Sequence, residues 1–219
     1  MGQKVNPISF RLGNFFTWKS KWFADPRSYS DTMLEDHKLR EFLEKKLLGA
    51  GLVQVSIERS LTMINVILAV ARPGVVIGKG GANLELIKKD VERILNVAKL
   101  KKDRVKVDLK VNEVKKPDLS AKLVAERIVD QLIKRYPHRR AVSQAMEKVM
   151  GSGAKGVKIR LSGRIGGAEI GRSEHYFEGT LPTQTLRANI DYFEMPARTR
   201  SGYVGIKVWI NKGEMLDVA

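Results

Sequence analysis

The 219-residue chain carries 40 Lys and Arg against 24 Asp and Glu, a formal net charge of +16 that exceeds what solubility requires and points to a polyanionic partner. It contains no cysteine, which excludes disulfides, cysteine nucleophiles and thiolate zinc sites. Nucleic acid is favoured over a bilayer, because no stretch reaches the roughly 18 apolar residues of a membrane span, no apolar signal segment opens the sequence, and Asn6 stands where a myristoylation signal wants Ser or Thr.

Residues 1–17 include Lys4 and Arg11 among glycine and proline and show no helical or strand period. They are expected to form an extended basic arm that becomes ordered against a partner. In 34–48, Leu34, Leu39, Phe42, Leu43 and Leu47 recur at helical spacing, with Gly49 and Gly51 available to stop the helix. Two β-rich runs come after it, 52–57 and 63–71, joined through 59–62. The second is expected to end in a glycine hairpin, after which Leu84, Ile87, Val91, Ile94 and Leu95 mark one side of a helix. Residues 104–111 alternate polar and apolar side chains, as a strand with one wet face does.

The boundary to a second domain is placed at Lys115-Lys116-Pro117, because proline biases its predecessor away from helix and Asp118 or Ser120 can cap the next one. Two helices come next: one marked by Leu119, Leu123, Ile128 and Leu132, the other by Val142, Met146 and Met150, separated at Tyr136-Pro137. Alternating series at 157–161, 186–190 and 204–210 then predict strands. The expected organisation is α+β throughout: a basic arm (1–17), a first domain of helices on a three-stranded sheet (18–116), and a second of two helices on an antiparallel sheet of about four strands (117–219).

The most informative motif is Gly78-Lys79-Gly80-Gly81. Three glycines let a phosphate approach the main chain, Lys79 adds charge at the tip, and N–H groups of the helix after the loop are available to an anion. A P-loop would need one more residue between Gly74 and Gly78 and a hydroxyl after the lysine, and a dinucleotide fingerprint would need glycine where Asn83 stands. The pattern that remains is the G-x-x-G loop with which a KH domain clamps a few backbone nucleotides.

A second basic constellation runs from His138 to Arg172: Arg139, Arg140, Lys148, Lys155, Lys158, Arg160, Arg164 and Arg172 outnumber Glu147, Glu169 and Glu174. Lys158 and Arg160 share one face of a strand whose other face is apolar, so their charges form a row that a phosphate backbone can follow. The glycines around Arg164 allow close approach by RNA. Trp18, Trp22 and Phe23, interleaved with Lys19 and Lys21, either stack on bases or anchor the chain onto its own domain. The three histidines have no ligand spacing, and neither paired carboxylates nor a nucleophile motif stands out, so no metal, cofactor or enzymatic role is expected.

These blocks, in this order, resemble the bacterial-type small-ribosomal-subunit protein number three family over nearly the whole chain. The resemblance rests on Met1-Gly2-Gln3-Lys4-Val5-Asn6-Pro7 with Arg11-Leu12-Gly13, the Trp18 and Trp22 pair, and 71–81. It continues in Ser162-Gly163-Arg164 with 166–170, in Thr185-Leu186-Arg187-Ala188 with Ile190-Asp191-Tyr192, and in 205–210. It implies a type II KH domain followed by the family's C-terminal domain. The implied function is a structural protein of the small-subunit head that binds small-subunit rRNA beside head proteins ten and fourteen, and whose C-terminal half lines the mRNA entrance. Arg139 and Arg140 match that entrance motif. The family commonly has lysine at the position of Ser143 and arginine at that of Thr180, and many relatives carry lysine in place of Gly80. The expected location is the ribosome of the cytoplasm, with an organellar ribosome as the other host. The RNA-contacting set is then Lys4, Arg11, Gly78, Lys79, Gly80, Gly81, Arg139, Arg140, Lys155, Lys158, Arg160, Arg164 and Arg172. The other function class, motivated by the same glycine loop, is a free-standing KH regulator of RNA.

Overall fold

The computed structural model describes residues 4–60, 62–95 and 106–215. The expectations that fall on Met1 to Gln3, on Leu61 and on Arg104-Val105 lie outside the described residues. The chain forms two compact units, one of residues 18–115 and one that joins 1–17 to 116–219.

In the first unit the order is β1 (Ser20–Lys21), α2 (Pro26–Lys46), β2 (Leu52–Arg59), β3 (Met63–Val70), α3 (Pro73–Ile77), α4 (Ala82–Ile94) and β4 (Lys106–Glu113), where α1 (Pro7–Phe10) belongs to the other unit. The sheet order is β1-β2-β3-β4, with β2 and β3 antiparallel and the β1–β2 and β3–β4 pairs parallel. The two-residue β1 extends the expected three strands to four. Alternation explains the core: Ile64, Val66, Leu68 and Val70 of β3 are buried with Ile57 of β2, Leu39 and Leu43 of α2, and Ile87 and Val91 of α4.

Helix α2 begins eight residues earlier than the periodicity predicts, at Pro26 in place of residue 34. Its first turns are polar and exposed, so they carry no apolar period, and the start is set instead by Pro26 at the first helical position.

The second unit opens with α1 (Pro7–Phe10) and continues with α5 (Ala121–Ile133), α6 (His138–Gly151), β5 (Gly156–Gly163), β6 (Arg172–Gly179), β7 (Ala188–Thr199) and β8 (Gly202–Glu214). The four strands are antiparallel in the order β6-β5-β8-β7. Val157, Ile159 and Leu161 of β5 and Val204, Ile206, Val208 and Ile210 of β8 bury one sheet face against Val124, Ala125 and Ile128 of α5 and Val142, Ala145 and Val149 of α6. The opposite sheet face carries none of these residues: beside polar and aromatic side chains it holds a smaller buried cluster of Ala188, Ile190 and Trp209.

The N-terminal segment is not an extended arm. Asn6 caps α1, its side-chain oxygen accepting from the Ile8 amide at 2.9 Å, and α1 packs against β7. The segment is fixed by Arg11, which is fully buried. Its Nε donates to the Leu186 carbonyl at 3.2 Å, Nη1 to Pro7 at 2.8 Å, and Nη2 to Thr183 at 3.1 Å and Thr185 at 2.8 Å. A planar fork with five donors suits convergent carbonyls in a way no other side chain does.

Candidate nucleic-acid interface

The glycine loop is flanked by helices on both sides. The expected hairpin directly after β3 is replaced by α3, whose five residues are too short to show a period but whose Pro73 at the first helical position sets its start. Gly78 closes α3 at φ 71°, ψ −172°, a region open to glycine alone, and a Cβ there would lie 2.8 Å from that of Asn83. Gly80 has φ 62°, ψ 18°, and its Cβ position faces open space. Asn83 braces the turn by donating to the Val75 carbonyl at 2.9 Å. Lys79 and Gly80 stand at the tip, so the loop presents one cation and bare peptide groups to solvent.

Of the aromatic group near 18–23, Trp22 is an anchor: its Nε1 donates to Oδ2 of the buried Asp36 at 2.8 Å and its ring lies 5.3 Å from Tyr29. Asp36 also accepts from Ser20 and from Arg59, holding β1 and β2 to α2. Trp18 and Phe23 are exposed.

The second constellation divides between two faces. Arg139 and Arg140 are exposed in the first turn of α6, which holds no acidic residue. Cations at a helix N-terminus add to the positive end of the helix dipole, an arrangement that costs stability unless an anion offsets it. The start of α6 is fixed from β6: a ring nitrogen of His138 lies 3.1 Å from Glu174, which also accepts from the Tyr176 hydroxyl and pairs with Arg172 at 2.8 Å. The Tyr176 hydroxyl first, then His138 and Arg172, hold the Glu174 carboxyl below its ordinary range, against the opposing effect of desolvation. Arg172 is thus engaged in the protein, and so is Arg164, whose Nε donates to Ala168 at 2.8 Å and Nη1 to Ser201 at 3.0 Å.

Lys158 and Arg160 project from the other face of the sheet, away from the helices. Register builds two rows there. One reads Phe177, Lys158, Trp209, Tyr192 across β6, β5, β8 and β7; the next reads His175, Arg160, Lys207, Glu194. Lys158 Nζ sits 5.9 Å from the Trp209 ring centre, and Tyr192 lies 5.1 Å from the same ring. Glu194 accepts from the Tyr192 hydroxyl at 2.7 Å and pairs with Lys207 at 3.1 Å, contacts that lower its pKa. Burial and then Glu194 push the Tyr192 phenol up.

The N-terminal segment walls this face, leaving a groove of about 940 Å³ with Lys4 at its edge. Burial first, then the charge of Lys4 beside it and of Arg160, lowers the Lys158 pKa. Lys155 is exposed in the turn before β5. Arg11, expected to touch RNA, is spent on the chain's own carbonyls and has no surface. Sequence reading missed Phe177, His175, Lys207 and the aromatic pair Tyr192 and Trp209; only the alternation within 204–210 hinted at where Lys207 and Trp209 point.

An α+β architecture with a helix-flanked glycine loop in one unit, and helices on an antiparallel sheet in the other, defines a KH-domain protein with a second, α+β domain. The profile described as "KH domain" matches residues 38–119, and that described as "Ribosomal protein S3, C-terminal domain" matches 128–210. The chain is 47% identical over 219 residues to the small ribosomal subunit protein uS3 of Desulforamulus reducens, covering 100% of this chain and 96% of that one. It is 44% identical over 216 residues to uS3 of Clostridium botulinum and 45% to that of Halalkalibacterium halodurans, each covering 99% of this chain and 94% of the relative. The chain belongs to the small ribosomal subunit protein uS3 family, whose members are structural constituents of the small subunit.

Proposed function

We propose that the chain binds small-subunit rRNA in the head, beside head proteins ten and fourteen, and lines the entrance through which mRNA is drawn, without covalent catalysis. The observation that carries this reading is the pair Arg139 and Arg140, exposed on the first turn of a helix whose dipole already favours anions and fixed there by the His138–Glu174 contact. Lys79 with Gly78, Gly80 and Gly81 supplies a backbone cradle in the first unit. Lys4, Lys158 and Arg160 supply a cationic row in the second, with Lys155 as an outlying phosphate contact. Arg164 and Arg172 set the loop and strand geometry around these surfaces and offer RNA their remaining donors.

The test is the salt dependence of binding between the full chain and single-stranded RNA. Replacing Arg139 and Arg140 by alanine lowers the slope of log K against log salt by roughly 0.7 per lost contact. An unchanged slope places these arginines elsewhere. Gradient sedimentation separates the ribosomal role from that of a free-standing KH regulator: the former travels with small subunits, the latter stays at the top.

A further inference from the structure

We propose that the outer face of the C-terminal sheet is a groove for an unpaired RNA segment, one nucleobase stacked on the Phe177 ring and the flanking phosphates held by Lys4, Lys158 and Arg160. This groove presupposes the RNA function proposed above and adds to it a strand state and a stacking platform.

Phe177 is 75% exposed in mid-strand, an arrangement that gains nothing from core burial. Its cross-strand neighbour is Lys158, and the next pair along the strands is His175 opposite Arg160. Aromatic and cationic side chains therefore stand side by side on one surface, the combination that single-strand RNA sites use: a ring face for the base and positive charges for the backbone. A four-stranded antiparallel sheet with helices behind and aromatics in front is also how another RNA module displays its stacking residues.

Charge complementarity identifies the occupant. Among the described residues that line the groove, Glu194 is the one carboxylate, and it is already engaged by Tyr192 and Lys207. The remaining cations crowd one another, and burial together with Lys4 and Arg160 lowers the pKa of Lys158. A polyanion relieves that repulsion. A duplex presents phosphates but keeps its base faces stacked internally, so it leaves the Phe177 ring unused; a segment with a free base uses both.

The experiment measures binding of the full chain to a short unstructured single-stranded RNA, to a duplex RNA of the same length, and to an oligoglutamate peptide of equal charge. Phe177→Ala is expected to weaken single-strand binding at least about fivefold while leaving the salt slope and duplex binding unchanged. Phe177→Trp restores the affinity. Lys158→Ala with Arg160→Ala weakens binding and lowers the slope by roughly 0.7 per lost contact. Phe177 is exposed, so its variants retain the fold, which an unchanged unfolding midpoint verifies. Single-strand affinity indifferent to Phe177→Ala overturns the groove, as does an equal loss for the duplex. An equal affinity and an equal loss for the peptide would assign the surface to an acidic protein segment instead. Sensitivity to Arg139 and Arg140 with indifference to Phe177 defeats the groove alone, whereas a wild-type chain that ignores RNA in dilute buffer defeats the wider function with it.

Discussion

Arg11 Nη2 donates to the Thr185 carbonyl at 2.8 Å, joining positions 174 residues apart and making the N-terminal segment a wall of the C-terminal domain. Because Lys4 sits seven positions before Arg11 on the same segment, this bond also decides whether Lys4 stands beside Lys158.

Arg11→Ala is expected to lower the stability of the C-terminal domain by about 3 kcal/mol, since four carbonyls lose a charged donor at once. Arg11→Lys recovers only part, because an ammonium cannot reproduce the fork. Denaturant titration of the full chain measures both; a loss below about 1 kcal/mol for the alanine variant contradicts the clasp.

Two of the three loop glycines, Gly78 and Gly80, are expected to respond differently. Gly78→Ala forces a Cβ to 2.8 Å from Asn83 in a backbone region reserved for glycine, and costs about 1–3 kcal/mol of KH-domain stability. Gly80→Asn, in the left-handed region with open space around it, costs less than about 1 kcal/mol. Equal costs in denaturant melts would show that the loop conformation is not the constraint.

Asp36 is 2% exposed and receives donors from Trp22, Ser20 and Arg59. In Asp36→Asn one oxygen becomes an amide that faces donors, and the charge opposite Arg59 is lost. The expected cost is about 2–3 kcal/mol, with altered Trp22 fluorescence because the indole loses its acceptor. Retained fluorescence and stability would contradict the anchoring of β1.

Glu174 predicts an acid limb. Its folded-state pKa is depressed below 4.5, chiefly by the Tyr176 hydroxyl, so its contribution is complete above the unfolded value and disappears as the pH falls through the folded one. The difference in melting temperature between wild type and Glu174→Gln is therefore expected to be full at neutral pH and to close progressively below about pH 4.5. A difference that stays constant across that window contradicts the stated coupling.

The strand 157–161 and its two faces were legible in the sequence because period-2 alternation is imposed directly by burial on one side, and the G-x-x-G loop because glycine has few other reasons to recur so closely. Strand β6 was not legible: it is an edge strand with a mostly exposed pattern, so little apolar period survives in it. Arg11 misled because an arginine in a polar segment normally reads as a solvated cation, and its carbonyl acceptors lie far away in sequence. The run from 138 to 172 looked like one basic surface. Proximity in sequence could not show that helix α6 and the outer face of β5 lie on opposite sides of the sheet core.

The most direct measurement is ultraviolet cross-linking of small subunits assembled with this chain, with RNA-linked residues located by mass spectrometry. RNA adducts are expected on the segments carrying Arg139 and Arg140 and on β5 and β6 around Lys158, Arg160 and Phe177. Adducts confined to other surfaces, with these segments recovered unmodified, would contradict the assignment of the C-terminal domain's two cationic faces to RNA.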